Sequence, residues 1–371
     1  MNLKEIELIK NNKPIVISGP CSAESEKQLL STSIALAKSG KVDVIRAGVW
    51  KPRTRPNNFE GVGVKALEWL RKVKEETGLP VAVEVANFQH VFDALKYQID
   101  ILWIGARTSA NPFSVQEIAN ALEGVDATVF VKNPVNPDIE LWIGALERLS
   151  QAGVTKLAAI HRGFAKYGES RYRNEPQWQI PIELKRLYPN LPIICDPSHI
   201  CGNRVCIPQV AQRALDLDFD GLMIESHIDP DNALSDKQQQ LTPDALDKLI
   251  GSLVVRHKEV EDQVLSRKLE SLRHEIDVID DDMLLLLEAR MKVADKIGQV
   301  KKDKGMTILQ TTRWNEIIEK TMIKAEKMGL SRQFLTSFLK SVHQESINHQ
   351  NIVMNKGKDS VQEPEKINSN E

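Results

Sequence analysis

The sequence has few cysteines and no long apolar run. Only 4 of its 371 residues are Cys. So few cysteines exclude a disulfide scaffold and predict a cytoplasmic location, where thiols stay reduced. No apolar stretch approaches the roughly 20 residues that a membrane-spanning helix needs. The N-terminal segment MNLKEIELIKNNK also lacks the apolar core of a signal peptide.

The sequence also lacks an excess of either charge. Lys and Arg number 49 and Asp and Glu number 51, which gives a formal net charge of −2. We therefore expect no nucleic acid among its partners, and the missing apolar runs predict no membrane either. An apolar content of 42% is sufficient for a large core, so wholesale disorder is excluded.

Residues 1–255 alternate short runs rich in Val and Ile with stretches of helical spacing. The runs are five to seven residues long, which is typical of parallel strands buried on both faces. Eight such units predict an α/β fold, a closed (β/α)₈ barrel of the TIM type. A doubly wound open sheet is the alternative, although no Gly-x-Gly-x-x-Gly follows the first run. The runs are Ile15–Pro20, Val44–Gly48, Val81–Val85, Ile101–Gly105, Thr128–Lys132, Lys156–Arg162, Pro192–Asp196 and Gly221–Ser226.

After Leu253 the spacing becomes helical throughout. We predict helices over 266–304, 313–328 and 331–353, with Gly305 and Gly329 ending the first two and Ser331 capping the third. The last residues, NKGKDSVQEPEKINSNE, are polar and predict a disordered tail. The predicted parts are therefore a barrel (1–255), a helical linker (256–265), a small all-α domain (266–354) and a disordered tail (355–371).

Charged and thiol side chains lie at the carboxyl ends of the predicted strands, where barrel active sites are built. A single Arg at a strand end often forms a surface ion pair, and a single Cys is often a core residue. Six cations at one end of the barrel instead favour a binding site for phosphate and carboxylate. A thiol, an imidazole and two carboxylates suit a divalent transition metal, provided that the barrel brings them together. The cations are Arg46, Lys51, Arg53, Arg107, Lys132 and Arg162, and the candidate metal ligands are Cys21, His199, Glu225 and Asp236.

Five motifs, in this order, resemble the 3-deoxy-D-arabino-heptulosonate-7-phosphate (DAHP) synthases. They are Gly-Pro-Cys-Ser-Ala-Glu-Ser, Lys-Pro-Arg-Thr, Ile-Gly-Ala-Arg, Asp-Pro-Ser-His and Ala-Leu-Ser-Asp. The resemblance covers about residues 1–255 and is to the subgroup related to 3-deoxy-octulosonate-phosphate synthase. It implies a metal-dependent condensation of phosphoenolpyruvate with erythrose 4-phosphate. The implied metal is Mn²⁺, with Fe²⁺, Co²⁺ and Zn²⁺ as alternatives.

The resemblance also implies a role for each matching residue. Cys21, His199, Glu225 and Asp236 match the metal ligands; Arg46, Lys51, Arg107, Lys132 and Arg162 match the groups that bind phosphoenolpyruvate; Arg53 and Thr54 match those that bind the phosphate of erythrose 4-phosphate; and Lys51 and Glu84 are taken as catalytic. Two positions depart from the family, since Arg55 stands where Ser is usual and His161 where Glu is common. Both predict additional positive or titratable character near the site.

The long predicted helix carries an apolar stripe, which predicts a core-facing side. Arg290 falls on this stripe, so we expect it to be buried beside an anion, either an internal carboxylate or a ligand. On the last helix Ser346 and Gln350 continue an apolar face, which indicates a hydrogen-bonding pocket or a frayed helix end. The stripe consists of Leu272, Ile276, Ile279, Met283, Leu286, Val293 and Ile297.

Across about residues 266–353, six polar positions resemble the site of the all-α chorismate mutases. They are Arg273, Arg290, Lys301, Arg313, Ser346 and Gln350. The resemblance implies that Lys301 and Gln350 bond the breaking ether oxygen and that Arg273 and Arg290 bind carboxylates. Chorismate would rearrange to prephenate without a cofactor. Gln310 replaces an acidic residue and Trp314 a Glu, both on the side of the substrate hydroxyl.

Together the resemblances predict a bifunctional enzyme of aromatic amino-acid biosynthesis. The alternative is a monofunctional DAHP synthase whose helical domain senses chorismate or prephenate and mediates dimerisation. The presence of Lys301 and Gln350 favours catalysis, because a sensor needs only the residues that bind the carboxylates. Only about 14 residues precede the first strand, so we expect no N-terminal regulatory domain. We expect feedback through the helical domain instead, by prephenate or chorismate. At 1.5 Å per residue, Arg273 lies roughly 25 Å along the helix from Arg290. We therefore expect a homodimer in which two chains share each mutase site.

Overall fold

The computed structural model describes residues 1–9, 13–51, 59–168, 170–256 and 262–356, without the side chains of residues 311–313, 325 and 326. The chain divides into two compact units, Met1–Lys258 and Glu259–Glu371. Half of the predicted linker and nearly all of the predicted tail lie outside the described residues. Among the described residues no helix is both long and apolar enough to cross a membrane.

The first unit is a closed barrel of eight parallel strands, which confirms the predicted fold and excludes the open sheet. Each strand pairs with the next, and the last closes on the first in the register Ile15↔Gly221 to Gly19↔Glu225. The strands are β1 (Ile15–Gly19), β2 (Val44–Ala47), β3 (Val81–Val85), β4 (Ile101–Ile104), β5 (Thr128–Lys132), β6 (Lys156–His161), β7 (Ile193–Cys195) and β8 (Gly221–Glu225).

Helices surround the strands and are started by side chains that the sequence places before them. Ser25, Asn111 and Asp138, for example, each accept a hydrogen bond from a first-turn backbone N–H. The helices are α1 (Glu26–Lys38), α2 (Lys65–Thr77), α3 (Phe88–Lys96), α4 (Ala106–Ser109), α5 (Pro112–Ala121), α6 (Ile139–Gln151), α7 (Gln179–Leu187), α8 (Pro197–Cys201), α9 (Ile207–Asp216) and α10 (Pro243–Ser252), and a 3₁₀ turn covers Pro230–Asn232.

Some predicted runs extend one or two residues beyond the strands that form. Gly105 and Asp196, predicted as the last strand residues, instead cap α4 and α8. Asp196 leaves the strand because its carboxylate accepts the backbone N–H of His199, which starts the short helix. The consequence is that His199 is fixed at the carboxyl end of β7.

The part of the second unit that the structure describes, residues 262–356, consists of three helices, as the spacing predicts. They are α11 (Gln263–Asp303), α12 (Thr311–Glu326) and α13 (Arg332–Asn355). The hydroxyl of Ser331 accepts the backbone N–H of Phe334 at 3.2 Å, which confirms the predicted cap. Gly305 follows α11 with a φ of 63°, a conformation that glycine adopts without strain.

The predicted core-facing stripe of α11 is not buried within this chain. Its residues are 43–71% exposed, and Arg290, predicted to be buried, is exposed as well. A neighbouring face of α11 packs against α13 instead, through Ala294, Gly298 and Lys301. Small residues there allow the two backbones to approach, whereas the bulky stripe lies on the adjoining face.

Gly298 is the closest point of this packing, and we expect its replacement to separate the helices. A Cβ at Gly298 would lie 3.0 Å from Cα of Gln350, so Gly298→Ala must displace α13. We expect a loss of about 1–3 kcal/mol in the free energy of unfolding of the helical unit, the usual cost of overpacking. The mutase activity that the resemblance implies should fall as well, because Gln350 moves.

The matched control is Gly144→Ala in α6, where an added Cβ meets nothing within 4 Å. That variant should gain up to about 1 kcal/mol from helix propensity and keep mutase activity. Chemical unfolding followed by circular dichroism and a chorismate absorbance assay measure both quantities. Equal behaviour of the two variants would contradict the proposed contact.

Candidate active sites

Arg46 lies inside the mouth of the barrel, 1% exposed. One guanidinium nitrogen donates to Glu225 Oε1 at 3.1 Å and the other to the carbonyl of Cys21 at 3.3 Å. The guanidinium carbon lies 4.9 Å from the ring centroid of Trp103. Burial would lower the pKa of Arg46, but Glu225 and the other anions raise it above its usual value, so Arg46 is a fixed positive charge.

Lys132 and His199 converge on one buried carboxylate that the sequence analysis did not assign to the site. Lys132 Nζ donates to Asp196 Oδ2 at 2.7 Å, and Nδ1 of His199 lies 2.8 Å from the same oxygen. Burial alone would raise the pKa of Asp196, but His199 and Lys132 lower it well below its usual range. Asp196 therefore orients one predicted cation and one predicted metal ligand, and the Asp-Pro-Ser-His motif was the available signal.

The barrel brings three of the four candidate metal ligands together. Ligand atoms of Cys21, Glu225 and Asp236 all lie within 4.8 Å of one another. The Cys21 thiol donates to Asp236 Oδ2 at 3.3 Å and accepts from Lys51 Nζ at 3.2 Å. His199 lies next to these three residues, with its Nε2 3.8 Å from Glu225 Oε1. A thiol, two carboxylates and an adjacent imidazole are a donor set that fits a divalent transition metal.

Two loop residues that the sequence analysis missed hold the carboxylates of this cluster. Arg173 donates to Asp236 Oδ1 at 2.9 Å, and Gln239 donates to Glu225 Oε2 at 2.8 Å. Burial opposes ionisation of Asp236, but His199 and Arg173 together hold its pKa far below the usual value. Neither residue ends a strand, so strand-end reasoning gave no signal for them.

Arg162 lies at the same end of the barrel and is held by two amide side chains. Its backbone N–H donates to Asn133 Oδ1 at 2.7 Å, and its guanidinium donates to Asn174 Oδ1 at 2.8 Å. Burial lowers the pKa of Arg162 to about 10, and Arg107 contributes to the same shift. Two cations that repel each other across this space are an arrangement suited to an anion.

Lys51 and Glu84 line a cavity of about 230 Å³ beside the cluster. Glu84 Oε2 accepts the indole N–H of Trp103 at 3.2 Å, and Gly105 leaves room for its other oxygen. The remaining predictions for this site, Arg53, Thr54 and Arg55, lie outside the described residues.

His161 does not add charge to the mouth, so that prediction is wrong. Its ring lies on the outer side of β6, next to Trp142 of α6, because successive strand residues alternate sides. Burial and the charge of Arg162 lower the pKa of His161 to about 3, so it is neutral. Four aromatic rings surround it at centroid distances of 5.2–6.5 Å: Trp142, Phe164, Trp178 and Phe219.

We expect His161 to make the barrel sensitive to acid. The unfolded chain binds a proton at this residue near pH 6.5, whereas the folded chain does so only near pH 3. Stability is therefore lost as the pH falls between these values, by at most about 1.4 kcal/mol per pH unit. In His161→Phe the free energy of unfolding should depend less steeply on pH within this window. Urea unfolding at several pH values measures it, and parallel curves would contradict the assignment.

In the helical unit, four of the predicted residues lie in the space where α11 packs against α13: Arg290, Lys301, Ser346 and Gln350. The guanidinium of Arg290 donates to the Ser346 hydroxyl and, at 3.4 Å, to the carbonyl of Val342. Lys301 is buried, which lowers the pKa of its ammonium, and it donates to the Ile308 carbonyl. Ser346 and Gln350 are buried too and lie within α13, so they do not stand at a frayed helix end, and the polar pocket stays a prediction.

The structure does not bring Arg273 to this space. It lies on the same continuous helix as Arg290, at an exposed position. Gln310 is exposed at the start of α12, and the side chain of Arg313 is outside the described part of the chain. Within one chain, Arg290 therefore contacts Ser346, and Lys301 and Gln350 are buried near them.

Two family profiles match the two units. The profile of the DAHP synthetase I family matches residues 3–260, and that of chorismate mutase type II matches residues 272–351. A phospho-2-dehydro-3-deoxyheptonate aldolase of Thermotoga maritima is 31% identical over 242 residues, covering 65% of this chain and 69% of the relative. A 2-dehydro-3-deoxyphosphooctonate aldolase of Desulfotalea psychrophila is 29% identical, covering 69% of this chain and 94% of the relative.

Solved structures show the same relationship for the barrel. A crystal structure of the Thermotoga maritima phospho-2-dehydro-3-deoxyheptonate aldolase superposes with a TM-score of 0.58 at 31% identity. It covers 64% of this chain and 67% of that one. A truncated form of a 3-deoxy-D-arabino-heptulosonate 7-phosphate synthase from the same organism has a TM-score of 0.56 at 28% identity and covers 64% of this chain and 84% of that one.

Proposed function

The chain belongs to the DAHP synthetase I family, and from this membership we propose roles for the individual side chains of its barrel. With its chorismate mutase type II domain, it is a bifunctional enzyme of the shikimate pathway. One reaction condenses phosphoenolpyruvate with erythrose 4-phosphate, and the other rearranges chorismate to prephenate.

The barrel cations bind the phosphate and carboxylate of phosphoenolpyruvate in this proposal. Arg46 and Lys132 are buried and held by Glu225 and Asp196, so they are preorganised for an anion. Arg162, whose pKa is lowered by burial, is stabilised by a bound negative charge. As the resemblance implies, the phosphoenolpyruvate site also includes Lys51 and Arg107. The phosphate of erythrose 4-phosphate is bound by Arg53 and Thr54.

We assign Cys21, His199, Glu225 and Asp236 as ligands of a divalent metal, with Mn²⁺ preferred. The observation that supports this is the convergence of three ligand atoms within 4.8 Å, with His199 Nε2 beside them. When bound, such an ion supplies Lewis-acid polarisation of the erythrose 4-phosphate aldehyde. Arg173 and Gln239 orient the two carboxylate ligands through hydrogen bonds, and Asp196 orients His199, whose Nδ1 lies 2.8 Å from its carboxylate.

The protein's own part in the condensation is positioning and proton transfer. Carbon 3 of phosphoenolpyruvate attacks the aldehyde, water adds at carbon 2, and phosphate leaves with cleavage of its C–O bond. The buried cations hold both substrates in line and stabilise the charge that develops. Lys51 and Glu84 share the cavity beside the cluster, and we place them as the groups that carry protons.

In the mutase site the proposed roles follow charge and burial. Arg290 binds a carboxylate, and Lys301 and Gln350 bond the ether oxygen whose bond breaks. Ser346 holds Arg290 through its hydroxyl. The rearrangement needs no cofactor, because the site only selects the folded conformer and stabilises the ether oxygen.

We propose that the chain forms a homodimer through α11. The N-terminal half of this helix, from Gln263 to about Leu286, is almost entirely exposed and carries most of the apolar stripe. In this proposal a second copy related by a two-fold axis buries the stripe, and its Arg273 completes the site. The described cysteines are all free and buried, in keeping with the predicted cytoplasmic location.

The test of the proposed function is to assay both reactions on the full-length protein. Phosphoenolpyruvate should be consumed only when erythrose 4-phosphate is present, and the absorbance of chorismate should fall in a separate assay. Prephenate is then added to the first assay, because we propose that it alters condensation through the helical domain. Unchanged kinetics with prephenate would reject the feedback and leave both activities standing.

A further inference from the structure

A stacked pair of rings lies beside the proposed mutase site. Trp314 of α12 and His343 of α13 have centroids 3.9 Å apart and ring planes within 9°. Burial lowers the pKa of His343, and the positive charges of Arg290 and Lys301 lower it further. His343 therefore faces the two cations assigned to chorismate and is neutral beside them.

Two buried atoms on this side of α13 have no hydrogen-bond partner among the described residues. They are Nε2 of His343 and Oε1 of Gln350. Seven residues separate the two positions, so both side chains lie on one face of the helix. Buried polar atoms without a partner are rare in folded proteins. A ligand with several hydrogen-bonding groups accounts for both.

Charge indicates which part of chorismate fits His343. The two carboxylates of chorismate are anions and are matched by arginine side chains. A neutral imidazole has one N–H donor and one acceptor nitrogen. The ring hydroxyl of chorismate also donates and accepts, so it fits Nε2 in either tautomer. The hydroxyl is thus the remaining substrate group that a neutral imidazole suits.

We propose that His343 binds the ring hydroxyl of chorismate through Nε2 and that Trp314 positions the imidazole by stacking. This inference rests on the proposed mutase site and adds a specificity-determining residue to it. A site that hydrogen-bonds a substrate hydroxyl discriminates against an analogue that lacks it, since the buried partner is then left unsatisfied.

The test compares chorismate with an analogue lacking the ring hydroxyl, using the full-length protein. For His343→Leu we expect kcat/KM for chorismate to fall about 10- to 100-fold while that for the analogue changes little, so that the preference is lost. His343→Asn keeps a donor and an acceptor and should recover part of the preference. Trp314→Phe should keep the preference and Trp314→Ala should weaken it.

The matched control is His349→Leu, on the same helix but in a surface pair with Asp295 at 2.9 Å. It should retain the preference for chorismate. Equal losses of kcat/KM on both substrates in His343→Leu would overturn the hydroxyl assignment. If the Leu variant does not fold, His343→Asn is compared with the wild-type protein instead. Absence of mutase activity in the wild-type protein would instead reject the proposed mutase site.

Discussion

Replacement of Cys21 by alanine is expected to abolish the condensation and to leave the mutase reaction intact. Cys21 is fully buried, and its thiol is one of the three clustered candidate ligands. Loss of a ligand removes the transition-state stabilisation that a bound metal supplies, which is worth several kcal/mol. The condensation rate should therefore fall by about 1,000-fold or more. His199→Ala should behave in the same way.

Cys206→Ala is the matched control, because Cys206 is also a buried free thiol and lies outside the cluster. It should retain metal and condensation activity. Metal content measured by atomic spectroscopy, beside both activity assays, separates ligand loss from misfolding. Full condensation activity in Cys21→Ala, or in protein stripped of metal, would show that the ligand assignment is wrong.

Mixing two inactive variants is expected to restore mutase activity. A homodimer of Arg273→Ala chains lacks Arg273 in both sites, and a homodimer of Lys301→Ala chains lacks Lys301 in both sites. Both homodimers should therefore be inactive. In a mixed dimer, one site receives Lys301 from the first chain and Arg273 from the second. Random exchange makes half of the dimers mixed, with one intact site each, so about one quarter of the wild-type activity should return.

The control for this experiment is a chain that carries both substitutions. Mixed with an equal amount of wild-type protein, it leaves no intact site in the mixed dimers. The wild-type activity should then fall to about half after exchange. Differently tagged chains establish that exchange has occurred. Unchanged activity in both mixtures after proven exchange would rule out the shared site.

The barrel was predictable because its local pattern and its global fold agree. Each strand is a short run of Val and Ile buried on both sides, and a carboxyl-end residue such as Glu225 must lie at the mouth once eight strands close. The contacts among these residues were not predictable. Asp196 is 64 residues from Lys132 in sequence, and only the closed barrel places them 2.7 Å apart.

The apolar stripe of α11 stays exposed in the single chain for a different physical reason. Periodicity identifies an apolar face but not the surface that covers it. The small residues Ala294 and Gly298 bring α13 onto the adjoining face, while Ile276 and Leu286 stay exposed in the single chain. For His161 the prediction chose the wrong face of the strand. Successive strand residues alternate between the barrel interior and the helix layer, so a shift of one residue changes the face.

The pairing of β1 with β8 has a consequence for how the protein folds. Gly19 and Glu225 are register partners although about 206 residues separate them, so the last seam of the barrel cannot form before residue 225 has been synthesised. Such non-local contacts form slowly, because a long loop must close first. Cys21 and Glu225 flank this seam. The candidate metal cluster is therefore completed in the same late step that closes the barrel, and an incompletely closed barrel has no such cluster.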